Sequence, residues 1–120
     1  MKNLTDKQLK DIVSYWKAKL GLQDWSIGIT ICRQRDMQLE NVEGENEYSY
    51  QLKESMIRIM DVADYVEDSI VKQDQEKTIV HELLHCVFSI IDTEDITRDR
   101  VQHQMIETLS RALVDAKRRV

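Results

Sequence analysis

The residues of this chain best suited to chemistry form one cluster: His81, Glu82 and His85, spaced His-Glu-x-x-His. Two histidines four apart lie on one face of a helix, one turn from each other. That spacing lets both imidazoles hold a single Zn²⁺, with the intervening glutamate next to a coordinated water.

The flanking residues favour a buried site. Stepping about 100° per residue from His81 puts His85 near 40°, Thr78 near 60°, Ser89 near 80° and Glu82 near 100°. The rest of the circumference is mostly apolar, from Ile79 and Val80 through Leu83, Leu84, Cys86, Val87 and Phe88 to Ile90 and Ile91. A helix apolar almost all round is buried. Ionisable groups in such a helix are costly unless paired or metal-bound, and a zinc site removes that cost. The competing reading is a chance match on a solvated helix, which would carry charged flanks rather than apolar ones.

A catalytic zinc takes three protein ligands and keeps a position open for water. A metzincin-type third histidine would fall at Ile91, with glycine at Phe88, so that arrangement is excluded. The ligand must come from further along the chain. His103 is the only other histidine, on the rim of the last helix's apolar stripe beside Ile106. Glu107 lies one turn beyond on the same side, and either could bind while the other orients it. Asp92, Glu94 and Asp99 are the remaining candidates, Asp99 also as an orienting group. Cys86 points about 100° away from His85 and is not counted as a ligand.

These residues need elements to position them. Thr5 and Gln8 fit a capping box with Leu4 and Leu9 as its hydrophobic staple, and Gly21 suits a helix end. A first helix is expected over about Asp6 to Leu20, packing through Leu9, Ile12, Val13, Trp16 and Leu20. Trp25 to Cys32 alternates as a strand with one buried face, with Gly28 on the other face permitting close approach. A charged, turn-like stretch from Arg33 to Glu45 follows, with Gly44 near its end. Glu47 to Leu52 and Ser55 to Asp61 read as two strands joined by a tight hairpin at Lys53-Glu54. The first places Tyr48, Tyr50 and Leu52 on one face; the second places Ile57 and Ile59 on one face and Met56 and Met60 on the other. Val62 to Gln73 reads as a short helix or wrapped loop, through Tyr65, Val66, Ile70 and Val71. The motif helix is expected over about Asp74 to Ile91. A last helix over about Ile96 to Arg118 is expected to bury Val101, Met105, Leu109, Ala112, Leu113 and Ala116. Strands grouped early and helices late indicate an α+β domain.

Composition sets outer bounds. The 120 residues suit one domain, 1–120, and with no proline and three glycines there is no linker to split it. A net charge of −5 argues against general nucleic-acid binding. The basic run Lys117-Arg118-Arg119 complements the dipole at a helix C-terminus. Cys32 and Cys86 are expected to be free thiols in a reducing cytoplasm. No apolar run approaches the ~20 residues that would span a membrane, and the N-terminus lacks an apolar signal core.

Trp25 before an Ile-alternating strand, a hairpin, the run Thr78 to His85 and a final helix through Met105 to Leu113 together resemble minimal zincin metallopeptidases. The resemblance covers about Trp25 to Leu113 and is similar to the ImmA/IrrE-like and SprT-like groups of phages and mobile elements. In those groups the final helix carries a metal-binding acid, commonly glutamate, near its start. Registering Leu109 to Leu113 places His103 at that position, a departure from the usual residue type. The resemblance implies a short mixed sheet whose edge strand lies over the zinc cleft and pairs with an extended protein or peptide substrate. The expectation is a zinc metallopeptidase in which His81, His85 and His103 hold Zn²⁺ and Glu82 is the general base. Tyr48, Tyr50 and Tyr65 are candidates for stabilising the oxyanion. The rival expectations are a non-catalytic zinc-containing regulatory or interaction domain, and a protein acting on DNA-bound targets.

Overall fold

The computed structural model of the chain describes residues 2–67, 72–91 and 95–119. The elements are α1 (Asp6–Leu20), β1 (Ser26–Cys32), β2 (Gly44–Ser49), β3 (Glu54–Met60), α2 (Gln75–Phe88) and α3 (Ile96–Arg118). Single 3₁₀ turns occupy Gln34–Asp36, Val62–Asp64 and Ser89–Ile91. The fold is α+β, with three helices and a three-stranded mixed sheet ordered β1-β3-β2. β1 runs parallel to the central β3, and β2 runs antiparallel to it as an edge.

α1 has the expected bounds. Thr5 accepts from the Gln8 N–H at 3.1 Å and the Gln8 side chain accepts from the Thr5 N–H at 2.9 Å, completing the capping box. Gly21 ends the helix with φ +71°, a conformation in which a Cβ would be strained. Leu9, Val13 and Trp16 are buried. On β3, Ile57 and Ile59 are fully buried and face the core with Ile79, Val80 and Leu83 of α2.

α2 is the hub, packed against α1, α3, β2 and β3. Asp74 caps it by accepting from the Lys77 N–H at 3.1 Å. The α-helix stops at Phe88, short of the expected Ile91. Ser89 Oγ donates to the Cys86 carbonyl at 2.6 Å and the last residues tighten into a 3₁₀ turn. That turn swings Ile90 and Ile91 out to solvent, so they do not join the buried circumference.

Two further expectations are corrected, the bounds of β2 and the buried face of α3. β2 starts three residues earlier than the alternation indicates and ends at Ser49. Residues 50–53 form the turn instead, with Lys53 at φ +52° and the Leu52 N–H donating to Ser49 Oγ at 3.2 Å. Tyr50 and Leu52 are therefore exposed turn residues that do not share a strand face with Tyr48. On the far side of the sheet, Gly28 faces the neighbouring Met56: a Cβ there would lie 2.8 Å from the Met56 methyl. On α3 the buried positions are Ile106, Ser110 and Val114, with Leu113 half-buried, while Val101, Met105 and Leu109 are exposed. The helix is thus rotated away from the face its larger apolar residues mark. Burying the small Ser110 lets α3 sit close on α2. In the stretch after β3, a 3₁₀ turn leads to an extended Tyr65, and the expected contributions of Ile70 and Val71 lie outside the described residues. Arg33 anchors that turn through paired bonds of 2.9 and 2.8 Å to Asp64.

The basic C-terminal run has a structural role. Glu76, buried on α2, accepts from Trp16 Nε1 of α1 at 2.8 Å and from Lys117 Nζ of α3 at 2.5 Å. Arg118 pairs with Asp74 at 2.7 and 3.1 Å. Burial alone would raise the Glu76 pKa, but the Lys117 and Trp16 hydrogen bonds outweigh it and hold the carboxyl below its ordinary value. One carboxylate therefore joins all three helices. Replacing Glu76 with alanine leaves Lys117 and the Trp16 N–H without their acceptor, and should cost about 2 kcal/mol in urea unfolding. A loss under about 0.5 kcal/mol, the range of an ordinary surface change, would remove Glu76 from this role.

Candidate functional site

The polar sector of α2 opens into a cleft of about 630 Å³ between β2, α2 and α3. His81 and His85 are part-buried on α2, and His103 reaches the same point from the exposed N-terminal half of α3. Ring centroids lie 5.1 Å apart for His81 and His85, 4.7 Å for His85 and His103, and 6.1 Å for His81 and His103. One ring nitrogen of each lies within 4.8 Å of the others. A tetrahedral ion with bonds near 2 Å needs its ligands about 3.3 Å apart, so the three imidazoles could hold one after small inward rotations.

Glu107, one turn beyond His103, points at His81 instead: its Oε2 lies 2.7 Å from His81 Nδ1. A carboxylate at that distance accepts a hydrogen bond from Nδ1–H, which holds the proton there and leaves the lone pair on Nε2. Arg111 flanks this pair, its Nε 3.3 Å from the Glu107 carbonyl. Between the two α3 candidates the geometry divides the roles: His103 belongs to the imidazole cluster and Glu107 orients His81. Asp99 lines the cleft outside the cluster. Asp92 and Glu94 lie outside the described residues.

Glu82 is buried at the cleft floor beside β2. Its position explains Gly44, which the sequence pattern marks only as part of a turn-like stretch. A Cβ at Gly44 would come within 2.7 Å of Thr78 Cγ2 and 3.1 Å of Glu82 Oε2. Only a bare backbone lets the edge strand pass so close to the carboxylate. Asn46, two residues on, fastens the strand to the motif turn. Its Nδ2 donates to the Glu82 carbonyl at 2.9 Å, and its Oδ1 accepts from Ser55 Oγ at 2.6 Å. Buried Glu45, on the opposite face of β2, accepts from the Gln38 and Leu39 N–H groups and from Arg58, which ties residues 38 and 39 to the start of the strand. The contacts of Gly44 and Asn46 with α2 escape a sequence reading because those partners are distant in the chain; a glycine at the mouth of a strand is the one local signal.

Of the three tyrosines considered for the site, Tyr48 lines the cleft, its ring stacked near His85 at 6.4 Å and 21°. Tyr50 lies in the exposed turn, and Tyr65 follows the Val62–Asp64 turn, neither lining the cleft. Cys32 and Cys86 are both free, as expected.

Burial governs the electrostatics. It lowers the His85 pKa to about 4, with His81 and His103 adding repulsion. It lowers His81 as well, against the pull of Glu107. It pushes Glu82 up to about 8, assisted by Glu45 and Glu107. Without a cation, Glu82 is therefore a neutral acid at pH 7. No protein-family model matches this chain, and neither does any curated protein or solved structure. Among the described residues no helix is long and apolar enough to cross a membrane.

The Glu82 shift has a definite stability consequence. Its folded pKa of about 8 lies above the ordinary 4.5, so its contribution is fully present below pH 4.5 and is lost as pH rises through 8. Glutamine cannot ionise and escapes that loss. In chelator-treated protein, Glu82→Gln should match the parent near pH 4.5 and exceed it at pH 8.5 by at least ~1 kcal/mol. Parallel stability curves across that range would show that Glu82 does not ionise against a burial cost.

Proposed function

We propose that this chain is a zinc-dependent metallopeptidase of zincin type, hydrolysing peptide bonds with Glu82 as general base. The observation that carries this reading is the convergence of His81, His85 and His103, their ring nitrogens within 4.8 Å of one another, next to a buried glutamate on the same helical turn. The donor set fits zinc: three imidazoles, one of them oriented by a carboxylate on its far nitrogen. The mixed sheet with its edge strand at the cleft agrees with the resemblance to minimal zincins.

In this proposal His81, His85 and His103 would hold the ion. When bound, Zn²⁺ supplies Lewis acidity, lowering the pKa of a coordinated water towards ~7 and polarising the scissile carbonyl. Glu107 keeps the His81 proton on Nδ1. Glu82 takes a proton from the attacking water at its carboxylate and returns it to the leaving amine. Asn46 and Gly44 keep the edge of β2 close to Glu82, and an extended peptide pairs along that edge as an added strand. Tyr48 is the oxyanion donor we assign, a role that typically carries ~10²–10³ in rate.

A closed, purely structural zinc site is the alternative, and it needs a fourth donor. Among the described residues the cluster able to hold an ion contains only the three histidines, and Glu107 is engaged at 2.7 Å with His81. The open-site reading is therefore favoured.

Two measurements test the proposal. The protein should bind about one Zn²⁺ per chain. In titration against a zinc competitor, His103→Ala should lose affinity by well over ~100-fold and Glu107→Ala by only ~10–100-fold. The opposite ranking would make Glu107 the ligand, and unchanged affinity in both would remove α3 from the site. Separately, Glu82→Gln should keep its zinc and lose at least ~10²-fold in cleavage of an unfolded protein substrate. Equal cleavage by the variant would mean that Glu82 is not the base.

A further inference from the structure

α3 carries a second apolar face that nothing among the described residues covers. Val101, Met105 and Leu109 are 51%, 50% and 38% exposed, and Ala112 and Ala116 continue the same stripe in the open. These residues lie within about 40° of one line along the helix, opposite the buried Ile106, Ser110 and Val114. Between Arg98 and Arg119, the exposed arginines that end the stripe, its centre line holds no charge.

The stripe is graded: large residues fill its N-terminal half and alanines its C-terminal half. A surface of that kind fits an inverted copy of itself. We propose that two copies of this chain pair through the outer faces of their α3 helices, antiparallel, about a two-fold axis between Thr108 and Leu109. Met105 then lies opposite Ala112 of the second copy, Val101 opposite its Ala116, and the two Leu109 side chains meet beside the axis. Each large side chain fills the space above a small one, the ridge-and-groove fit that close helix packing needs. A parallel pairing would set Val101 and Met105 against themselves and leave a gap between the alanines.

The size of the contact sets its strength. α3 has 23 residues, about 34 Å of helix. Two such faces bury on the order of 1,000 Å², the lower end of specific interfaces, so the dimer is a reversible one. The antiparallel arrangement also brings Arg98 to the same end as the second copy's Arg119, and each chain carries a net charge of −5. Both are repulsions that salt screens, so this dimer tightens as ionic strength rises.

The test is sedimentation velocity on the full chain from ~1 to ~500 µM, at low and moderate salt. The expected result is a monomer–dimer equilibrium, strengthened by salt. Met105→Glu should weaken it at least ~10-fold with an unchanged circular dichroism spectrum, and Arg98→Glu should tighten it several-fold at low salt. Under mild oxidation Leu109→Cys should cross-link to itself, while Val101→Cys should not. A chain that stays monomeric to ~500 µM leaves the stripe to a different partner and overturns the proposal. So does a dimer indifferent to Met105→Glu, or one that cross-links through Val101→Cys in preference to Leu109→Cys.

Discussion

The burial of α2 on nearly every side is the constraint from which the rest of this structure follows. A helix enclosed by a sheet and two other helices cannot send its polar side chains to water. Each one must find a partner inside or be neutral. Gln75 and Glu76 in the first turn, His81, Glu82 and His85 in the middle, and Ser89 at the end all meet that demand differently. Gln75 receives the Leu4 N–H and donates to Asn3 and the Met60 carbonyl, which closes the N-terminus over the end of β3. Glu76 gathers Trp16 and Lys117. The middle group is left facing a cleft, because β2 and α3 approach α2 without closing over it there.

That incomplete closure depends on two small residues. Gly44 lets β2 run close to α2 at Glu82, and Ser110 lets α3 do the same from the other side, its hydroxyl turned back onto the Glu107 carbonyl at 2.9 Å. Close approach at those two points brings Tyr48 and His103 into the cleft from opposite walls. A bulkier residue at either position would widen the cleft and separate the groups that line it. The geometry of the polar cluster is thus set by residues that have no chemistry of their own.

This division explains what could be read from the sequence. The motif was legible because its spacing is helical and its apolar flanks say the helix is buried; both are properties of a single element. α1 was legible for the same reason, since Thr5, Gln8 and Gly21 mark its ends locally. The lining that β2 provides was not. Asn46 acts through a carbonyl 36 residues away, and the alternation of Tyr48, Tyr50 and Leu52 imitates a strand where the chain in fact turns. α3 misled more instructively. Its largest apolar residues define one face, but packing against α2 selects the face carrying Ser110, because that face also carries His103 and Glu107. Where a helix has two apolar faces, periodicity alone cannot choose between them, and the decision rests with polar contacts across the interface.

The protonation pattern adds a distinction that the sequence alone did not suggest. Buried histidines and a buried glutamate invite the argument that a metal must neutralise them. In this fold burial moves the His85 pKa down to about 4 and that of Glu82 up to about 8, so near pH 6 both are already neutral. His81 is lowered in the same direction and has Glu107 besides. The core beneath, from Ile57 and Ile59 to Ile79, Leu83 and Val114, is continuous without them. Small domains that need an ion to fold lack such a core and gain their folding free energy from the ligands. This chain has the core and pays little for keeping its cleft polar at mildly acidic pH. Near pH 6 burial alone therefore keeps His85 and Glu82 neutral above a continuous core, and no ion is needed to balance their charge there.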